Sequence, residues 1–230
     1  MKKKKILILI VITFIVIISQ IIINKISQNN KILLNSYIKT LDNKDLNLPC
    51  NVDNNKIPYF KLNNNLYNSI NKEILENSIL RACYQNGYVD YDISLNNNIL
   101  SLVLYLSYES EDELANIECK TYNINIDNNT KITNQELLNL YKINTNNINQ
   151  KVLNKFQEYY LYEKQNNLID QNTTFSNYLS LLNYKSITTN NINLFIDKKN
   201  NLYLYLDYNL TEGMQISEYF PNLVNTIKLT

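Results

Sequence analysis

Apolar residues follow three rhythms along this chain. Residues 6–23 are apolar almost without break and follow Lys2, Lys3, Lys4 and Lys5. At about 1.5 Å per residue, a helix over that run reaches most of the roughly 30 Å of a bilayer's hydrocarbon core. The second rhythm is helical. Ile32, Leu33, Leu34, Tyr37, Ile38 and Leu41 suit a stalk helix, and Leu66, Ile70, Ile74, Leu75, Ile79 and Leu80 suit a clearer helix behind a capping Asn cluster, stopped at Gly87. Thr133 and Glu136 read as a capping box opening another helix. Ile148, Val152, Phe156, Tyr159 and Tyr160 stripe a longer helix from about Thr145.

The third rhythm has a period of two. Ile57, Tyr59 and Phe60 suggest a short strand. Val89, Tyr91, Ile93 and Leu95 alternate with polar residues, and after Asn96, Asn97 and Asn98 the run of residues 99–108 places Leu100, Leu102, Leu104 and Leu106 opposite Ser101, Val103, Tyr105 and Ser107. That pattern predicts an antiparallel hairpin. A third strand is expected around residues 120–126, a second hairpin over residues 192–196 and 202–208, and an edge strand within residues 224–229. Residues 173–187 fit neither period. Grouped helices and adjacent hairpins predict an α+β fold: an antiparallel sheet with helices on one face, preceded by one transmembrane helix.

The lysines before the apolar run predict a cytoplasmic amino terminus and an outward carboxy-terminal domain in a single-pass cell-membrane protein. A cleaved secretory signal shares the basic start and the apolar stretch. The run exceeds a signal core in length, and no small-x-small triplet follows it, so the anchor fits better. The expected divisions are a cytoplasmic tail (1–5), an anchor (6–24), a juxtamembrane stalk (25–48) and an extracytoplasmic α+β domain (49–230).

Composition narrows the chemistry. With 22 basic and 21 acidic residues, the net charge of +1 implies no nucleic-acid partner. Histidine is absent and only Gly87 and Gly213 supply glycine, so imidazole-based triads, imidazole metal ligands and phosphate-cradling loops are excluded. Asn is expected to take the left-handed turn positions. Cys50, Cys83 and Cys119 lie far apart without Cys-x-x-Cys spacing, which predicts no metal site; one disulfide plus a thiol, or three buried thiols, both fit. No cofactor is expected.

Several strings taken together carry a resemblance: Tyr91-Asp-Ile-Ser-Leu-Asn-Asn-Asn-Ile-Leu-Ser-Leu-Val103, Tyr122-Asn-Ile-Asn-Ile-Asp127 followed by residues 132–138, and Leu194-Phe-Ile-Asp-Lys-Lys-Asn-Asn-Leu-Tyr-Leu-Tyr-Leu206. Over about residues 57–229 the chain resembles the extracytoplasmic domain shared by the anti-sigma-V factor, a lysozyme receptor, and the amino-terminal region of some peptidoglycan deacetylases. The resemblance implies a non-catalytic binding or sensor domain at the bacterial cell envelope, with a lysozyme-like protein or the cell wall as its partner. Two departures stand out. The family's Gly-Ala-His-Gly turn is replaced by the acidic stretch of residues 109–113, and five residues before the membrane cannot hold a sigma factor.

The candidate partner-binding residues are Glu109, Glu111, Asp112 and Glu113, a carboxylate cluster able to steer a cationic protein, with Tyr105 and Tyr108 as an exposed aromatic patch beside it. A charge run of this kind is also what a solvated loop looks like. Asp90 with Asp92, or Glu109 with Glu118, lack the visible cleft of an acid/base pair, and the former suit the wet side of a strand. Tyr159, Tyr160 and Tyr162 could stack on sugars, but at helical spacing beside Phe156 they suit a core. Two Ser-x-x-Lys strings lack a companion Lys-Thr-Gly. The alternatives to a binding domain are an enzyme of peptidoglycan metabolism or its accessory domain, and a structural envelope protein or membrane-complex subunit.

Overall fold

The two-residue rhythm of residues 88–125 produces the central sheet. Strands β3 (Tyr88–Asn96), β4 (Ile99–Glu109) and β5 (Ala115–Asn125) form an antiparallel meander extended by the short β6 (Thr130–Lys131). This is a computed structural model. It describes residues 33–41, 43–46, 55–84, 87–109, 115–181, 188–190, 192–205 and 226–230, together with Val16, Ser19 and Gln20. Those three are helical, while the rest of the predicted span 6–24 lies outside the described residues. Among the described residues no helix is long and apolar enough to cross a membrane.

Asn does the work that glycine does elsewhere. Asn97, Asn129, Asn167 and Asn200 all adopt positive φ, between 51° and 63°, because a short amide tolerates the left-handed region. Asn97 sits in the tight link between β3 and β4. One place does require glycine itself. A Cβ at Gly87 would overlap the backbone carbonyl oxygen of Ser107 and lie 3.0 Å from that of Arg81.

One face of the meander follows the predicted alternation. Leu100, Leu102, Leu104 and Leu106 are fully buried, each contributing about 1.5–3 kcal/mol by burial. They pack with Tyr67, Ile70 and Ile74 of helix α2 (Asn65–Ile79) and with a two-stranded sheet of β1 (Ile38–Leu41) and β2 (Ile57–Phe60). Asn64 caps α2 by accepting from the Tyr67 backbone N–H at 3.1 Å. Buried Asn71 then ties α2 to β2: its side-chain oxygen accepts from Phe60 N at 2.7 Å and its amide donates to Phe60 O at 2.8 Å. Residues 38–41, expected within a helical stalk, are strand instead. Lys39 and Thr40 face out while Ile38 and Leu41 are buried, a pattern that pairing with β2 selects over the helix continuing from 33–37. Between the strands, α1 is a single turn, Asn43–Leu46.

The other face departs from the expectation of helices on one side of a single sheet. A second antiparallel sheet covers it, ordered β7 (Asn193–Ile196), β8 (Leu202–Tyr205) and β9 (Thr226–Lys228). Val103 and Cys119 of the meander meet Phe195 and Tyr205 there. Beside this cluster, the edge of β7 is hydrogen-bonded by side chains of the meander. Ser94 Oγ donates to Ile196 O, Ile196 N donates to Ser101 Oγ at 3.0 Å, and Asn123 Nδ2 donates to Leu194 O at 2.7 Å. Ser94, Ser101 and Asn123 are all buried.

Helices α3 (Asn134–Leu140), α4 (Thr145–Gln165) and α5 (Phe175–Leu181) bury the outer face of the second sheet, with Leu194, Ile196, Leu202 and Leu204 against Leu137, Ile148, Val152, Phe156 and Tyr178. The predicted capping box opens α3, with Thr133 N donating to Glu136 Oε2 at 2.7 Å and Glu136 N to Thr133 Oγ1 at 3.2 Å. The bond from Thr133 N, with a second that Thr133 Oγ1 donates to Glu136 Oε2 at 2.8 Å, holds the Glu136 carboxyl pKa below its ordinary value. Tyr159 and Tyr160 complete the core as the stripe implies, and Tyr162 is exposed.

Replacing Asn71 or Asn123 with Ala strips buried backbone groups of their partners, and each loss is expected to lower the unfolding free energy by about 2 kcal/mol. Urea denaturation of the two variants against the parent checks this; a change below the error of extrapolation would show that water replaces the amide.

Candidate functional site

One end of the meander leads into the acidic stretch of residues 109–113. β4 and β5 pair out to Glu109↔Ala115 and Tyr108↔Asn116, so the acidic stretch joins two strands at the open end of a hairpin. β5 begins five residues earlier than its apolar alternation suggests, because pairing with β4 continues through polar positions. Glu111, Asp112 and Glu113 lie outside the described residues; Tyr108 and Glu109 are the last two positions of β4.

Behind that end, on the α2 side, a π-helical turn, Leu80–Tyr84, follows α2. Single π turns of this kind recur at functional sites. Arg81 in the turn forms an ion pair with Glu118 on β5. Lys120, two residues along the same face, lies 3.6 Å from Glu118 and 3.7 Å from Glu73 of α2. The network is half-buried, with two cations matched to two anions. At this exposure each pair contributes at most about 1 kcal/mol, so its main effect is to fix the π turn over β5. Tyr122 is buried next to it, and burial followed by the Glu73 charge pushes its hydroxyl pKa far up. Each of the two carboxylates is within salt-bridge distance of a cation.

The π turn also presents apolar surface. Leu80, Tyr84 and Tyr88 are exposed, Tyr84 at 70%, and Tyr88 pairs with Ser107 of β4. Sequence reasoning missed Tyr84 and Tyr88. Their signal was faint: Tyr84 follows a helical stripe and Tyr88 precedes an alternating run, so each sits where a periodic pattern has ended.

On the opposite face, Tyr105 is half-buried, unlike the exposed patch expected for it. Its hydroxyl donates to Asp92 Oδ2 at 3.0 Å and meets the Tyr205 hydroxyl at 3.1 Å, with ring centroids 5.8 Å apart. The second sheet covers this side of β4, a contact that local alternation in residues 99–108 does not encode. Burial, first of all, and then the hydrogen bond to Tyr205 push the Tyr105 pKa far up, so the hydroxyl stays a neutral donor. Asp90 pairs with Lys56 at 3.0 Å. Asp90 and Asp92 thus serve a surface ion pair and a tyrosine hydroxyl, on the side of β3 expected to be wet.

Cys83, in the π turn, is disulfide-bonded, and Cys119 is a buried thiol between the sheets. Among the described residues no group of His, Cys, Asp and Glu could hold a metal ion. The chain matches no known family model and no curated protein.

Of the three cysteines in the chain, one is therefore expected to react with iodoacetamide when the protein is denatured without reductant, and all three after reduction. Peptide mapping should recover the Cys83 peptide linked to a second cysteine peptide; alkylation of three thiols without reductant would remove the bridge.

Proposed function

We propose that this chain is a membrane-anchored, extracytoplasmic binding or sensor domain of the bacterial cell envelope, with its binding face at the polar end of the meander. The observation that supports this most is the disulfide at Cys83, which belongs to an oxidising compartment. It agrees with the basic and apolar leader, residues 2–23. The resemblance to the lysozyme-receptor domain points the same way.

The chemistry of that end favours a cationic partner. Glu109, Glu111, Asp112 and Glu113 fall within residues 109–113, at and just after the end of β4, and the neighbouring network of Glu73, Arg81, Glu118 and Lys120 matches two cations to two anions and is neutral in itself. Exposed Tyr84 and Tyr88 add amphipathic contact area of the kind enriched at interfaces. A basic, lysozyme-like protein combines both requirements, with peptidoglycan as the second candidate. An enzyme of peptidoglycan metabolism or its accessory domain is the alternative reading.

Two measurements test this. Protease applied to intact cells should digest the folded portion; digestion only after lysis would reverse the orientation. In detergent, the full chain should capture a basic envelope-active protein such as lysozyme, and capture should fall about tenfold at low salt when residues 109, 111, 112 and 113 are all Ser. Tyr84→Ala should weaken it further. Unchanged capture by the Ser variant would remove the binding face.

A further inference from the structure

Helix α4 carries a carboxyl that its amphipathic pattern does not anticipate. Glu163 lies on the same face as Phe156, Tyr159 and Tyr160 and is only 6% exposed. Its Oε2 is buried and has no hydrogen-bond partner among the described residues. From α5 the hydroxyl of Tyr178, itself 1% exposed, bonds the carboxyl. The cations nearest in sequence are committed elsewhere: Lys164 Nζ donates to Tyr160 Oη at 2.9 Å and to Thr173 O at 3.1 Å, and Lys155 Nζ donates to Glu158 Oε2 at 2.7 Å while lying 5.1 Å from the centre of the Tyr159 ring. In the link between α4 and α5, Asp170 accepts from Asn172 N at 2.8 Å and turns on its own backbone. Tyr178 thus faces Glu163 from α5, Tyr159 and Tyr160 flank it on α4, and none of them can neutralise an anion by charge.

We propose that Glu163 is a proton-operated latch: as the neutral acid it holds α5 against α4, and on losing its proton it places an uncompensated charge in that contact and releases the helix. Among the described residues no cation forms an ion pair with Glu163, and a buried carboxylate so placed carries a desolvation penalty that opening relieves by admitting water. Burial raises the Glu163 pKa above its ordinary 4.5, with the Tyr178 hydrogen bond opposing. The sign follows from linkage. Between the unfolded and the raised folded value the native state binds more protons, so the contact is strongest below about 4.5 and weakens as pH rises. In a domain without histidine, this supplies a pH response of carboxyl origin. It holds whatever the domain binds.

The test compares the full-length protein with Glu163→Gln, which keeps the shape of the neutral acid. Amide hydrogen exchange, corrected for intrinsic rates, is followed from pH 4.5 to 8. In the parent, the opening constant of Phe175–Leu181 should rise by up to about tenfold per pH unit until Glu163 is ionised, while that of Asn65–Ile79 stays level. In Glu163→Gln the Phe175–Leu181 constant should stay level too. Tyr178→Phe, which removes the opposing hydrogen bond, should extend the rise to higher pH. If Glu163→Gln does not fold, the contrast between the two helices of the parent decides. A pH-independent opening of Phe175–Leu181 in the parent, or the same rise in Glu163→Gln, overturns the latch.

Discussion

The edge of β7 is where the two halves of the domain become one. An edge strand presents a row of backbone donors and acceptors that must be satisfied wherever water is excluded. Here Ser94, Ser101 and Asn123, on three adjacent strands of the meander, satisfy Leu194 and Ile196 through side chains. Ser101 also donates to Asn123 at 2.6 Å, so the hydroxyl and the amide hold each other in place for β7. Small polar side chains let the edge come close; larger apolar ones would fill the gap and leave the β7 groups unpaired. The helices on the far side of the second sheet depend on this junction, because they pack on Leu194, Ile196, Leu202 and Leu204.

A second constraint comes from the near absence of glycine. Tight turns go to Asn at positive φ, and Asn71 joins α2 to β2 through both sides of one amide. The same residue type thus serves as turn former and as cross-link. Among the described residues the position that needs glycine, Gly87 against Ser107 and Arg81, lies at the end of the meander beside the π turn, where two backbones approach closely. Close approach there brings the π turn, its disulfide-bonded Cys83 and its exposed Tyr84 next to the end of the β4–β5 hairpin.

The two regions proposed to act differ in their electrostatics. At the polar end, cations and anions alternate in a half-exposed network, and charge is shared with solvent. At the far side of the domain a single carboxyl, Glu163, is shut in with tyrosines. The first arrangement suits the steering of a charged partner; the second suits a response to protons.

Local periodicity alone determined most elements. The β3–β4 hairpin, the capping box at Thr133, the stripe of the long helix and the β7–β8 hairpin are each written within a few turns or a few alternations, so neighbours in sequence suffice. The acidic run was equally legible as composition. Tertiary structure decided what lies against each face. Ser101 and Val103 read as the wetter side of a strand and are buried because β7 lies over them; Tyr105 is covered by Tyr205 of β8; residues 38–41 become a strand because β2 offers a partner; and Glu163 is buried because α5 folds back on it. Each of these depends on a contact between residues distant along the chain, and a side chain's period says which way it points but not what it meets there.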